Sequence, residues 1–340
     1  MRIAKCWPIF FLFAAMLLLI FDTKTYISGA SDAVAMCIQT VIPSLFPFLV
    51  LSVFLTGQLS VYRFKWLTPL GKLLHLPEGS ETIFLIGILG GYPVGAQCIR
   101  LAYDAGTLSR EDAQRMLCFC NNAGPAFIFG IGGHLLGKEY LCGVLWCIHI
   151  ISALIIGLVM TPEKQSSDVS FPSQPVLFTD SVRKAAGAIS MICCWIILFR
   201  ILLGYMDKWI LEMLPQPIYI LLTGLLELAN GCVSLDKLAD HSLRFILLST
   251  MLGCGGVCVA LQTKSVLSGV NLNIRPFIVG KVYHGILSFL ISTVSARLLF
   301  KNAARDIGLL GIFCLFLLIT IVSLRQIKAK RGLAFYCKIM

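Results

Sequence analysis

The sequence predicts an all-α polytopic membrane protein with about 8–10 hydrophobic segments, carrying broken helices or hairpins in two repeated halves. Three observations predict it. The 340 residues are 58% hydrophobic and only 13% charged, with a mean hydropathy of +0.87, more apolar surface than a soluble domain can bury. The apolar residues gather in runs, several of them near the ~20 residues that cross a hydrocarbon layer. Some of these runs are interrupted by glycine and proline, which are poor residues for a helix interior.

Taken in order, the chain begins with Arg2 and Lys5 ahead of an apolar stretch from Ile9 to Phe21. That is the form of a signal peptide, with Ser28-Gly29-Ala30 as a cleavage site, but in a chain with many later spans it reads as an uncleaved first helix. Further apolar segments fall at 33–60, 82–103, 112–136, 140–160, 182–206, 216–233, 243–268, 276–300 and 307–324. The first of these contains Pro43 and Pro47, the second Gly91-Tyr92-Pro93, and the third Asn121-Asn122-Ala123-Gly124-Pro125, so these three read as hairpins or broken helices. Arg63 to Leu76 mixes bulky apolar groups with cations, the pattern of a segment lying along the membrane interface. A hydrophilic loop with Pro162, Pro172 and Pro175 divides the chain. The organisation is therefore a first transmembrane half over 1–160, a linker over 161–180, and a second half over 181–340 with a basic C-terminal tail.

That division exposes a repeat. Leu76-Pro77 precedes an apolar run that ends at Gly91-Tyr92-Pro93, and Leu214-Pro215 precedes one that ends at Asn230-Gly231. Gly124-Pro125 in the first half answers to Gly255-Gly256 in the second, and a histidine follows each, His149 and His284. Broken helices in the same order in two halves point to a duplicated, inverted-repeat transporter fold, whose substrate site lies at the breaks.

The net charge of +11 does not indicate nucleic acid. The basic residues cluster at segment ends, such as Arg297, Lys301 and Arg305, where they face lipid headgroups and water. Membrane lipid is the expected surrounding partner. Most of the 14 cysteines lie inside apolar runs as small hydrophobes, with no metal-ligand spacing, so neither metal nor cofactor is expected. Hydrolase, zincin and phosphate-loop motifs are absent, so the chain is not read as an enzyme.

A helix broken inside a membrane offers unpaired N–H groups and a partial positive charge at one half-helix N-terminus, which can hold a carboxylate. Segments starting near Val94 and Ala126 are placed for this. Asn121 and Asn122 add amides, and Tyr92 adds a hydroxyl and an aromatic face. The competing reading is that glycine and proline there allow close helix packing. Intramembrane Glu227 either takes a coupling proton or cation, or forms an ion pair with a base such as Lys281. Gln262 either bonds substrate or ties helices together. His149 and His284 read as packing residues, and Arg100 and Arg200 as snorkelling cations, with anion attraction the alternative for Arg100, just beyond Gly91-Tyr92-Pro93. The candidate substrate-binding set is therefore Gly91, Tyr92, Pro93, Asn121, Asn122, Gly124, Asn230, Gly255, Gly256 and Gln262, facing one another and Glu227 across a central cavity.

The same residues carry a family resemblance. Gly91-Tyr92-Pro93-Val94-Gly95-Ala96, followed by Phe119 to Ile128, resembles the sporulation integral membrane protein YlbJ (SpoVV) family, within the nucleoside-recognition or Gate-domain group. Leu226-Glu227-Leu228-Ala229-Asn230-Gly231 is similar to that family's Glu-x-x-Asn-Gly element, and Gly255-Gly256 with Gln262 to its Gly-Gly…His-Ala-Gln element. Ala260-Leu261 stands where the latter has its histidine. The resemblance implies a role in endospore formation, moving dipicolinic acid across the outer forespore membrane. The residues alone imply a small polar or anionic solute.

Overall fold

Helix α1 (Trp7–Phe21) and helix α2 (Thr23–Met36) meet at Asp22 in the computed structural model, which describes residues 7–59, 65–160, 177–209 and 213–300. Asp22 ends one helix and starts the next by accepting from the backbone N–H of Thr25, the ordinary work of an N-cap carboxylate. Lys208 Nζ, 2.8 Å away, also donates to it and holds the carboxyl below its usual range.

The 33–60 segment is not broken. Helix α2 passes through a π-turn over Cys37–Val41 into α3 (Ile42–Leu59). Proline lacks an N–H and crowds the carbonyl four residues back. The wider turn relieves this at Pro43, because the Ile42 N–H bonds back to the Cys37 carbonyl rather than one residue later. What sequence alone reads as a break is a bulge in a continuous rod.

The true breaks follow. The short α4 (Thr68–Leu73) leads to α5 (Glu81–Gly90), which stops at Gly91 and restarts as α6 (Val94–Asp104). Helix α7 (Arg110–Leu117) gives way at 118–124 and restarts as α8 (Pro125–Leu136), and α9 (Glu139–Val159) runs unbroken. The second half repeats this order. A long α10 (Phe178–Trp209) is followed by α11 (Gln216–Leu226) and α12 (Leu228–Ser234), then α13 (His241–Cys254) and α14 (Gly256–Val266), then the long α15 (Arg275–Leu299). Each half thus reads long helix, broken helix, broken helix, long helix. One expected break moves: Asn230-Gly231 lies inside α12, and the interruption is one turn earlier at Glu227, whose backbone is extended.

Among the described residues, five helical stretches are long and apolar enough to cross a membrane: Thr23–Leu55, Glu139–Val159, Phe178–Trp209, His241–Val266 and Arg275–Leu299. No strand occurs among them. The protein is an all-α integral membrane protein. Residues 161–176 of the expected linker, the 307–324 segment and the basic tail lie outside the described residues, as do Arg63 and Phe64 of the expected interfacial segment.

Long helices form an outer pair and an inner pair. Helix α10 lies along α2 and α3, and Arg200 sits between Asp32 and Asp207, 3.6 Å from each. Arg200 therefore locks two helices together rather than reaching for headgroups. Arg100 acts similarly, donating to the Val266 carbonyl at 2.7 Å, so α6 is tied to the end of α14. The inner pair is α9 and α15, which cross in the centre with α13 packed against both. Buried Arg115 closes one end of this core by donating to the carbonyls of Leu74, Met160 and His75 at 3.0, 3.1 and 2.7 Å. Those carbonyls terminate chain segments and have no helical partner, so the guanidinium's fork of donors suits them.

Candidate functional site

The four breaks converge. Gly91 and Gly124 approach so closely that a Cβ on Gly91 would lie 3.0 Å from the Gly124 nitrogen. A Cβ on Gly255 would lie 3.2 Å from the Tyr92 hydroxyl, and one on Gly256 would lie 3.0 Å from the Gly224 carbonyl at the end of α11. Gly91, Gly255 and Gly256 also have φ of +77°, +70° and +80°, a region closed to most side chains. Position by position, the chain stops α5/α6, α7/α8, α13/α14 and α11/α12 against one another.

Into this centre α15 projects Lys281, which is 3% exposed. Its Nζ donates to the Tyr92 hydroxyl at 3.1 Å and to Asn122 Oδ1 at 3.2 Å, and lies 3.4 Å from His284 Nδ1. It also stands 5.0 Å from the centre of the Tyr92 ring, within cation–π range. The Tyr92 hydroxyl in turn donates to the Leu252 carbonyl at 3.2 Å, where α13 nears its break. Asn122 is fixed by donating to the Phe119 carbonyl at 2.7 Å, an orphan of the α7 terminus. The Tyr92–Pro93 peptide bond is cis.

Behind Lys281 the rings of His149 and His284 stack with centroids 4.2 Å apart. His149 Nε2 accepts from the Ala123 N–H at 3.0 Å, so this histidine also serves the 118–124 break. Every polar side chain here is buried except Tyr92, which is half-buried alongside Pro93, Cys254 and Gly256. The cluster is closed in this conformation, and Tyr92 forms its rim.

Of the residues expected from sequence, Gly91, Tyr92, Pro93, Asn122, Gly124 and Gly255 come together around Lys281. Asn121 sits beside them, accepting from the Ala96 N–H at 3.4 Å and donating to Thr263 Oγ1 at 3.1 Å; it ties α6 to α14. Gln262 does not reach the cluster, and donates instead to Cys258 Sγ one turn back on its own helix, at 3.3 Å. Nor does Glu227 pair with Lys281. Its carboxylate caps α12, accepting from the N–H groups of Ala229 and Asn230 at 3.1 and 2.7 Å and from the Asn230 amide at 2.8 Å. Asn230 belongs to that cap.

Both Glu227 oxygens are thus engaged by donors, which leaves a poor place for a coupling cation. Glu227→Gln replaces one acceptor oxygen by an amide facing N–H groups, so it is expected to lower stability by about 1–2 kcal/mol. Thermal unfolding in detergent checks this. A melting temperature equal to that of the wild type would mean that the cap does not hold α12.

Lys281 enters the sequence reading only as a partner for Glu227, and the two histidines only as packing residues. One signal could have raised them: His149 and His284 follow the second break of each half, so a two-fold repeat brings equivalent residues to one place.

Among the described residues no group of histidine, cysteine or acidic side chains is placed to hold a metal. Comparison with known proteins agrees with the motifs. The sporulation integral membrane protein YlbJ of Bacillus subtilis (strain 168) is 25% identical over 321 residues, covering 78% of this chain and 78% of that protein. No family model and no solved structure matches the chain. The motif order, the broken-helix architecture and this likeness along most of both chains agree: the chain is similar to a sporulation integral membrane protein over about four-fifths of its length.

Proposed function

We propose that the protein is a membrane transporter of a small organic anion, and that the anion is dipicolinate, carried across the outer forespore membrane during sporulation. One observation carries the reading: the Lys281 amine is buried where four helix breaks meet, and its polar partners Tyr92, Asn122 and His284 include no carboxylate. A buried cation without a counter-ion costs several kcal/mol. Intramembrane ionisable groups that face a bundle interior mark substrate paths. Lys281 supplies the charge, Tyr92 and Asn122 supply hydrogen-bonding groups, and the Tyr92 ring supplies a flat face. A planar aromatic dicarboxylate matches all three. The likeness to a sporulation integral membrane protein of B. subtilis supports sporulation as the setting.

A nucleoside is neutral and would leave Lys281 without a counter-ion, so it fits this centre less well. A scaffold with no substrate would bear the cost of the buried ammonium for no return. The test is uptake of labelled dipicolinate by liposomes containing the purified protein. Saturable uptake, inhibited by unlabelled dipicolinate and indifferent to nucleosides, is expected. Uptake of a nucleoside in preference would replace the substrate, and no uptake of either would remove the transport reading.

A further inference from the structure

The stacked histidines have a property that packing does not require. His149 Nε2 is an acceptor, because it receives the Ala123 N–H; a neutral imidazole must then carry its proton on Nδ1. His149 Nδ1 has no hydrogen-bond partner, and neither has His284 Nε2, which makes only a loose approach to the His149 backbone. Both rings are buried, at 2% and 0% exposure. Two orphaned ring nitrogens in one buried stack are costly, and native proteins keep such groups where they are used.

The 3.4 Å contact between Lys281 Nζ and His284 Nδ1 can be made in two ways. An ammonium donates to a bare Nδ1, or a protonated Nδ1 donates to a neutral amine. These are the two ends of one proton transfer: the N–H bond at Lys281 breaks, the N–H bond at His284 forms, and the positive charge moves from amine to ring. Stacking makes a second positive charge on His149 unfavourable, so the group holds a single proton. The titratable groups facing it are Tyr92 from the α5/α6 break, Cys118 and Cys120 beyond α7, Cys254 at the end of α13 and the histidines themselves. No carboxylate forms an ion pair with Lys281 among the described residues. Beyond His284 the same face of α15 continues with Ser288 and Ser292, both 0% exposed, and Ser288 Oγ lies 3.4 Å from Ser152 Oγ of α9. A buried polar file thus leads from the cluster along the inner helix pair.

We propose that Lys281, His284 and His149 form a proton site that couples transport to the proton gradient, so that the anion and one proton are bound together. This rests on the transport reading. An anion beside Lys281 stabilises its ammonium, and by linkage a proton on the cluster strengthens anion binding by the same factor. With the site empty of anion, the proton passes to His284 and leaves. Coupling belongs to this cluster rather than to Glu227.

The test uses the purified full-length protein and dipicolinate. In weakly buffered detergent solution, binding should take up about one proton per anion, and affinity should fall up to about tenfold per pH unit on the alkaline side. In liposomes, an acid-outside gradient should drive accumulation. His284→Gln keeps an acceptor for Lys281 but cannot take its proton. It should lose gradient-driven accumulation at least tenfold. Binding without proton uptake, or accumulation driven by sodium or by membrane potential alone, overturns the coupling and leaves the transport reading standing. Should His284→Gln fail to fold, the wild-type proton count decides. Absence of anion binding overturns both.

Discussion

Lys281→Met should abolish dipicolinate uptake, by at least about a hundredfold, while leaving the melting temperature unchanged or raising it. The two halves of this expectation have the same cause. Lys281 is a buried ammonium held by neutral groups, so its net contribution to folding is small or unfavourable, and an apolar side chain of similar length is tolerated or preferred at such sites. Binding is another matter. Without the ammonium, two carboxylates would enter a closed centre facing a phenol, an amide, the buried histidine pair and half-helix ends, and charge burial without a counter-charge is strongly disfavoured. Liposome uptake and thermal unfolding of the same preparation separate the effects. Uptake within a few-fold of wild type would end the anion reading of this centre. A large fall in melting temperature would make Lys281 a structural residue.

Gly95→Ala should be destabilising by about 3 kcal/mol or more, at the upper end of overpacking effects. Gly95 is in the first turn of α6, and a Cβ there would overlap the Cys120 carbonyl and come within 2.9 Å of the Asn121 Cα. Both obstacles are backbone, so no side chain can turn away. Gly87 on α5 meets the same carbonyl. The two glycines let the 118–124 break lie directly on the first broken helix, and that contact sets Asn121 and Asn122 in place. Gly133→Ala is the control. It is in α8 with open space around it, and alanine should raise helix stability by about 0.5–1 kcal/mol. Unfolding midpoints and monodispersity in detergent report both. A Gly95→Ala protein as stable as wild type would mean that the breaks are loosely packed.

Which parts were legible in the sequence follows from what each part depends on. Gly91-Tyr92-Pro93 and Asn121 to Pro125 announce themselves, because glycine and proline interrupt helices by local chemistry. Pro43 and Pro47 carry the same local signal, yet the chain stays helical through both, with a π-turn just ahead of Pro43 and Pro47 inside α3. Asn230-Gly231 suggested a break one turn late, since the interruption is made by Glu227 capping α12. Lys281 was the hardest to read. Nothing in Val279-Gly280-Lys281-Val282 distinguishes a central cation from one at a helix end, and only the crossing of α15 over the 118–124 break puts it beside Tyr92 and Asn122. The histidine pair needed the same long-range information, because its partners stand 135 positions apart in sequence, at 149 and 284.

The Glu227 cap has a consequence for how many anions one chain can hold. The repeated helix order sets two corresponding places, one at each first break. In the second half that place is taken for good by a carboxylate belonging to the chain itself, tied down by Ala229 and Asn230. The corresponding Gly91-Tyr92-Pro93 has no acid, and faces an ammonium instead. Under the transport reading the two halves differ in role: the second is self-occupied by Glu227, and the first is the place left for the solute. Under the transport reading, the stoichiometry is one anion per chain.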